Sequence, residues 1–275
     1  MKSLSAYCSL ALATLFIVSQ TASGVEVQDV NIEHMGLEGR KVIALTFDDG
    51  PGAGTASILD TLKAYNVHAT FFSVGKMASY HPGLLDRIVG EGHLLANHSY
   101  DHDKLGKEIY GTNPELLVEQ IRKTHEILAP HMRPGQKLFF RAPYSDWRQD
   151  VATIINQDPV VKDYIGPIFW NVGTKIERSE NGEIKAAADW ACWSKTKGIP
   201  VDECLQGYLA KIESEKGGVV LMHDIHRSTA EMFAKMLPIL IQRGYKFKML
   251  DQIPQLDLYR LQRPYRVEAG KPVNF

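Results

Sequence analysis

Short apolar runs alternate along most of the chain with stretches whose apolar positions recur every three or four residues. Residues 42–47 form the first run, too short for a helix, and read as a buried strand. Residues 56–65 follow with Ile58, Leu59, Leu62 and Tyr65 on one helical face. Further strand candidates are residues 69–74, 93–97, 138–142, 165–171, 218–222 and 245–250. Amphipathic helical stretches lie between them at residues 84–89, 114–128, 203–213 and 229–243. Pro238 falls inside the last and should kink or interrupt it, because proline lacks an N–H and its ring crowds the preceding turn.

Seven strands separated by helices imply parallel βαβ units, closed as a barrel or open as a doubly wound sheet. No internal repeat or low-complexity linker divides the chain, so a single domain is expected. Residues 173–202 break the rhythm. This segment is polar, carries Lys185 and acidic residues, and reads as a long surface excursion.

The length of 275 residues is enough to bury a sizeable core. Lys plus Arg number 31 against 32 Asp plus Glu, so no basic face for nucleic acid is expected and a neutral partner such as a polysaccharide fits. Lys2, an apolar stretch at residues 10–18 and the small residues of 21–24 form the pattern of a secretory signal peptide over residues 1–24. The mature chain is then exported to the periplasm or beyond. No later segment approaches the ~20 apolar residues of a membrane span. Cys8 leaves with the leader, and the two remaining cysteines, Cys192 and Cys204, most economically form one disulfide.

The reactive residues fall at the C-terminal ends of the expected strands, the face on which βα-barrels build their active sites. Asp48 and Asp49 follow the first strand, His98 and His102 the third, and His223 and Asp224 the sixth, while Arg141 ends the fourth. Asp-Asp-Gly-Pro alone is a turn signal. Directly after a buried strand, its adjacent carboxylates point in different directions, so one can bind a metal while the other accepts a proton. His98 and His102 are four residues apart and share a face on one helical turn. With a carboxylate they make a His–His–Asp triad that leaves positions open for water. His223, on a separate strand, is placed to act as a general acid.

These residues resemble the motifs of the polysaccharide deacetylase family, also called carbohydrate esterase family 4 or the NodB-homology domain. Thr46-Phe47-Asp48-Asp49-Gly50-Pro51 is similar to its first motif, His98-Ser99-Tyr100-Asp101-His102 to its second and Arg141-Ala142-Pro143-Tyr144 to its third. Leu221-Met222-His223-Asp224 is similar to its last, and Ala69-Thr70-Phe71-Phe72 to its usual second strand. The resemblance implies a distorted (β/α)7 barrel of TIM-barrel type over residues 25–275, with a motif core at about 42–250. It implies metal-dependent removal of N-acetyl groups from N-acetylhexosamine units of a cell-wall or extracellular glycan. Peptidoglycan is the first choice, because a leader delivers the enzyme to a wall. Chitin oligosaccharides or acetylated xylan are the alternatives, and a catalytically silent glycan-binding protein is the reading from another class.

On the family pattern Asp49, His98 and His102 bind one divalent metal. Zinc comes ahead of cobalt, nickel, iron or manganese, since affinity order alone does not separate them. Asp48 is the general base, Arg141 its partner, the backbone N–H of Tyr144 an oxyanion donor and His223 the acid, with Trp190 and Leu221 at the substrate. The fourth motif departs from the pattern. Trp170 begins it, but the best Asp-Trp match, Asp189-Trp190, lies downstream across an apparent insertion. Either Asp189 or Asp224 then biases His223 toward its charged form.

Overall fold

The computed structural model describes residues 28–29, 37, 39–194, 198–259 and 265–266; the leader expected over residues 1–24 lies outside them. Among the described residues no helix is long and apolar enough to cross a membrane. Strand β1 (Gln28–Asp29) pairs in parallel with β9 (Tyr265–Arg266), apart from the central sheet.

That sheet is built from β2 (Val42–Asp48), β3 (Thr70–Ser73), β4 (Leu94–Asn97) and β7 (Gly217–His223), in the order β4-β3-β2-β7 and parallel throughout. β8 (Lys246–Phe247) joins only the start of β2, at Val42 and Ile43. Beyond β4 the ladder continues as single bridges, Asn97 to Phe140 and Phe139 to Ile165, and returns to β7 through Val172 and Val220. The strand-to-strand ring therefore closes as a distorted α/β barrel of six segments, with β8 a seventh lying against the start of β2. All seven expected runs take part, but the fourth and fifth enter through single bridges. Pro143 and Pro167 lie in or beside these segments and have no N–H to give to a ladder.

Alternation along β2 decides which side chains reach the site. Ile43, Leu45 and Phe47 face outward, into a core shared with Phe71, Leu95, Val220 and Met222 of the neighbouring strands. Helices α1 (Thr55–Ala64), α3 (Pro82–Gly90), α8 (Val201–Glu215) and α9 (Arg227–Gln242) cover that core, following α1 with α2 (Gly75–Tyr80) and α3 with α4 (Glu108–Thr112), α5 (Pro114–Leu128), α6 (Gln149–Ile155) and α7 (Asp189–Cys192). Ala44 joins a second core with Phe72, Ala96, Phe140 and Val219. Thr46 and Asp48, on the same face as Ala44, are the polar end of that row.

Two expectations need correction. α9 runs unbroken through Pro238. Met232, Phe233, Met236, Leu237 and Leu240 are buried on both sides of the proline, so packing outweighs the one lost backbone bond. The segment 173–202 is a surface excursion only in its first half, where β5 (Glu177–Arg178) and β6 (Ile184–Ala186) make a small antiparallel pair. Its second half returns inward, and Ala187, Ala188, Asp189 and Cys192 are buried.

Candidate active site

Asp48 ends β2 on the inner face, and Asp49 turns the chain with a left-handed φ of 74°. The reversal sends the two carboxylates to different neighbours. Asp48 is 2% exposed, and its Oδ1 accepts from Nη1 of Arg141 at 2.6 Å. Arg141 comes from the fourth segment and is itself buried. Its Nε donates to the Ile168 carbonyl at 2.9 Å and Nη1 donates to Thr46 Oγ1 at 2.9 Å, while the guanidinium lies 4.1 Å over the Phe72 ring. The fork is thus locked from four sides, which fixes Oδ1 of Asp48 and leaves its Oδ2 facing the cleft, 3.6 Å from His98 Nε2.

His98 follows β4 and is buried; His102 lies on the loop beyond it. That loop is not the helical turn the spacing suggested. Ser99 and His102 adopt left-handed φ values of 65° and 57°, and the peptide N–H of Ser99 donates to the Asn97 side chain, folding the loop back. The rings still converge, with centroids 4.9 Å apart. Nδ1 of His98 lies 2.8 Å from the Arg141 carbonyl, which can only accept, so that nitrogen carries a proton and Nε2 is the one turned to Asp49. Asp49 Oδ1 sits 3.1 Å from His102 Nε2 and 3.4 Å from His98 Nε2, buried and without an aligned hydrogen bond. Burial raises the Asp49 pKa, but the two imidazoles outweigh it and hold the carboxylate well below the ordinary aspartate range.

Ligand atoms of Asp49, His98 and His102 all lie within 4.8 Å of one another. Two imidazole nitrogens and an ionised carboxylate oxygen converge on one point, and each can offer a lone pair. This donor set fits a divalent cation.

His223 ends β7 and is the register partner of Asp48 across the parallel pair. Of its two expected partners the structure selects Asp189. Nδ1 of His223 lies 2.7 Å from Asp189 Oδ1, and the His223 backbone N–H donates to Oδ2 at 2.6 Å. Thr229 Oγ1 also donates to Oδ2, and the Trp190 backbone N–H to Oδ1, both at 2.8 Å. Burial disfavours the imidazolium of His223, but the charge and hydrogen bond of Asp189 more than offset this and push its pKa up to about 10. Burial likewise works against the Asp189 carboxylate, and His223 holds its pKa below the usual value. Asp224 instead turns away to Thr55, and burial pushes its carboxyl up to about 7.

The insertion is anchored behind this pair. Cys192, at the end of α7, is bridged to Cys204 of α8, with Cα atoms 6.2 Å apart. Tyr208 of α8 accepts the Asp189 backbone N–H at 3.0 Å and donates to the Leu221 carbonyl at 2.9 Å. Leu221 is buried and its N–H is committed to the Val172 carbonyl. Tyr144, with a φ of 56°, is 62% exposed and its ring lies 4.6 Å from that of His102, while Trp190 is 50% exposed. Tyr208 and Thr229 support the site without any mark in the sequence. No motif distinguishes Tyr208 and Thr229 from ordinary core positions of an amphipathic helix.

A family model described as "Polysaccharide deacetylase" matches residues 36–161. A peptidoglycan-N-acetylglucosamine deacetylase of Bacillus cereus is 32% identical over 218 residues, covering 78% of this chain and 68% of that protein. The chain belongs to the polysaccharide deacetylase family. The peptidoglycan-N-acetylglucosamine deacetylase PgdA of Listeria monocytogenes is 34% identical over 78% of this chain, which spans 39% of the length of that relative. Among solved structures, the peptidoglycan deacetylase PdaC of Bacillus subtilis superimposes with a TM-score of 0.59 at 26% identity, over 82% of this chain and 94% of that one. The polysaccharide deacetylase family is metal-dependent, and Asp49, His98 and His102 form the three-residue cluster that fits an ion here.

Proposed function

We propose that this chain is a metal-dependent deacetylase that hydrolyses the N-acetyl group of N-acetylhexosamine units in a cell-wall glycan, peptidoglycan first. The observation that carries the reading is the register pairing of Asp48 with His223. It sets a buried carboxylate and a part-buried imidazole side by side, each locked by its own partner, beside the Asp49–His98–His102 cluster. The alternatives stay as chitin oligosaccharides or an O-acetylated polymer at the same site. A silent glycan-binding protein would not need two fixed proton-transfer groups.

The residues divide the work by geometry. Asp48 takes a proton from water at Oδ2 while Arg141 keeps Oδ1 in place, and the water oxygen bonds to the acetamide carbon. The backbone N–H of Tyr144 meets the oxyanion. His223 gives the Nε2 proton to the departing nitrogen as the C–N bond breaks, releasing acetate and a free amine. A divalent cation on Asp49, His98 and His102 supplies Lewis acidity toward the carbonyl and the water. Zinc suits this nitrogen and oxygen donor set. Trp190 and the side chain of Leu221 are assigned to substrate contact, and residues 1–24 to export.

The test is mass spectrometry of purified peptidoglycan and of N-acetylglucosamine oligomers after incubation with zinc-loaded protein. A loss of acetyl mass from peptidoglycan is expected. Release of acetate from acetylated xylan with both amide substrates intact would replace this reading with the esterase.

A further inference from the structure

Asp224 directly follows His223, yet its side chain serves a different element. Its carboxylate is 1% exposed, and Oδ2 accepts from Thr55 Oγ1 at 2.5 Å. Thr55 Oγ1 in turn accepts the backbone N–H of Gly52 at 2.7 Å. The backbone carbonyl of Asp224 accepts from Gly54 N–H at 2.9 Å, and its N–H donates to the Asp48 carbonyl at 3.2 Å. One residue is therefore bonded, directly or through Thr55, to positions 48, 52, 54 and 55. These residues span the turn that carries both Asp48 and Asp49.

The spacing Gly50, Gly52, Gly54 has its cause here. A Cβ at Gly50 would fall 2.1 Å from Asp224 Oδ2, one at Gly52 2.7 Å from Ile225 Cα, and one at Gly54 2.6 Å from the His226 carbonyl. Every second residue of the turn lies flat against residues 224–226, and any side chain would lift it away. Glycine is the residue that permits such close backbone approach.

We propose that Asp224 is a positioning residue of the active site. It clamps the turn bearing Asp48 and Asp49 to the strand end bearing His223, so that the two carboxylates and the imidazole keep one relative geometry. This rests on the deacetylase reading for its catalytic consequence, though not for its structural one. Displacement of reacting groups by about 1 Å can cost about 10²-fold in rate, so a remote clamp has a measurable effect.

Four single variants, with one double variant beside them, test the proposal: Asp224→Ala, Asp224→Asn, Thr55→Val and Thr55→Ser. Turnover of N-acetylglucosamine oligomers is measured at saturating zinc, with zinc affinity and thermal melting on the same samples. Asp224→Ala and Thr55→Val should each lower kcat about 10- to 100-fold with KM within about twofold, and weaken zinc about tenfold, since Asp49 rides on the same turn. Asp224→Asn and Thr55→Ser keep an acceptor and a hydroxyl in place and should restore most of both. The double variant Asp224→Ala/Thr55→Val should be no worse than Asp224→Ala, because the two residues act through one shared contact. Lower melting temperatures with turnover per folded molecule and zinc affinity intact would overturn the proposal, leaving only packing. If the unmodified protein deacetylates nothing, the functional reading fails, and the pattern of zinc affinities across the four variants still decides the clamp.

Discussion

Asp189 holds His223 twice, accepting its backbone N–H at Oδ2 and meeting its Nδ1 at Oδ1, across a sequence separation of 34. The first contact fixes the end of β7, and the second fixes the ring. Because Nδ1 must carry a proton to donate to the carboxylate, Nε2 is the nitrogen left to face the cleft. With Thr229 and the Trp190 amide also donating, the buried carboxylate is satisfied on both oxygens.

The pH dependence should follow from this pair. His223 is raised from 6.5 to about 10 in the folded protein. Its share of the pair's stabilisation is therefore complete below about 6.5 and is lost as pH rises through about 10. Asp189 is lowered from 3.8, so its share is present above that value and fades as pH falls below it. In Asp189→Asn the basic limb of the pH–rate profile should move down toward the ordinary imidazole range, with turnover at pH 9 falling more than at pH 6. A basic limb that stays in place would assign it to another group.

Removing Arg141 should be costly to the fold. Arg141→Met leaves the Asp48 carboxylate buried without its partner, a change worth about 3–5 kcal/mol. For a chain of this size that lowers Tm by roughly 6–20 °C. Arg141→Met/Asp48→Asn should recover part of the loss, since no buried charge then stands alone. Calorimetry on the two variants checks the order, and turnover should be low in both.

The metal site should fail through its ligands one at a time. His98→Ala and His102→Ala each delete one of three ligands and should reduce bound zinc well below one per chain by elemental analysis. Asp48→Asn, by contrast, should keep the metal and lower turnover by about 10²–10⁴-fold, the range for a lost general base. Full zinc with unchanged turnover in His98→Ala would remove it from the site.

Much of this site was legible because its residues come from strand ends, where alternating burial and fixed register leave little freedom. Asp48, His98, Arg141 and His223 each sit at the last inward position of a buried segment, and a period of two in the sequence identifies such positions. The loop geometry was not legible in the same way. His98 and His102 meet through left-handed residues at 99 and 102, and spacing alone could not distinguish that from a helical turn. Asp189 lay at the edge of what the sequence can place. Its local surroundings read as a polar insertion, and its role depends on α8, through Tyr208 and the bridge to Cys204, folding the insertion's second half back under β7. Similarly, local propensity at Pro238 favours a break, whereas the buried face of α9 on both sides of it decides the outcome.

The bridge gives the last prediction. Cys192 and Cys204 are 12 residues apart, and closing so short a loop contributes about 3 kcal/mol on a chain-entropy view of the unfolded state. Cys192 ends the same short helix that begins with Asp189, so the bridge also braces the carboxylate that holds His223. In Cys192→Ser/Cys204→Ser the global transition should fall by about 6–12 °C at 2–4 °C per kcal/mol. The effect on catalysis should come earlier. Well below that lowered Tm the folded variant should already turn over more slowly, and its basic pH limb should shift in the same direction as that of Asp189→Asn. The metal ligands follow other strands, β2 and β4, so zinc content should stay at one per chain. Turnover that tracks only the folded fraction, with an unmoved basic limb, would confine the bridge to stability.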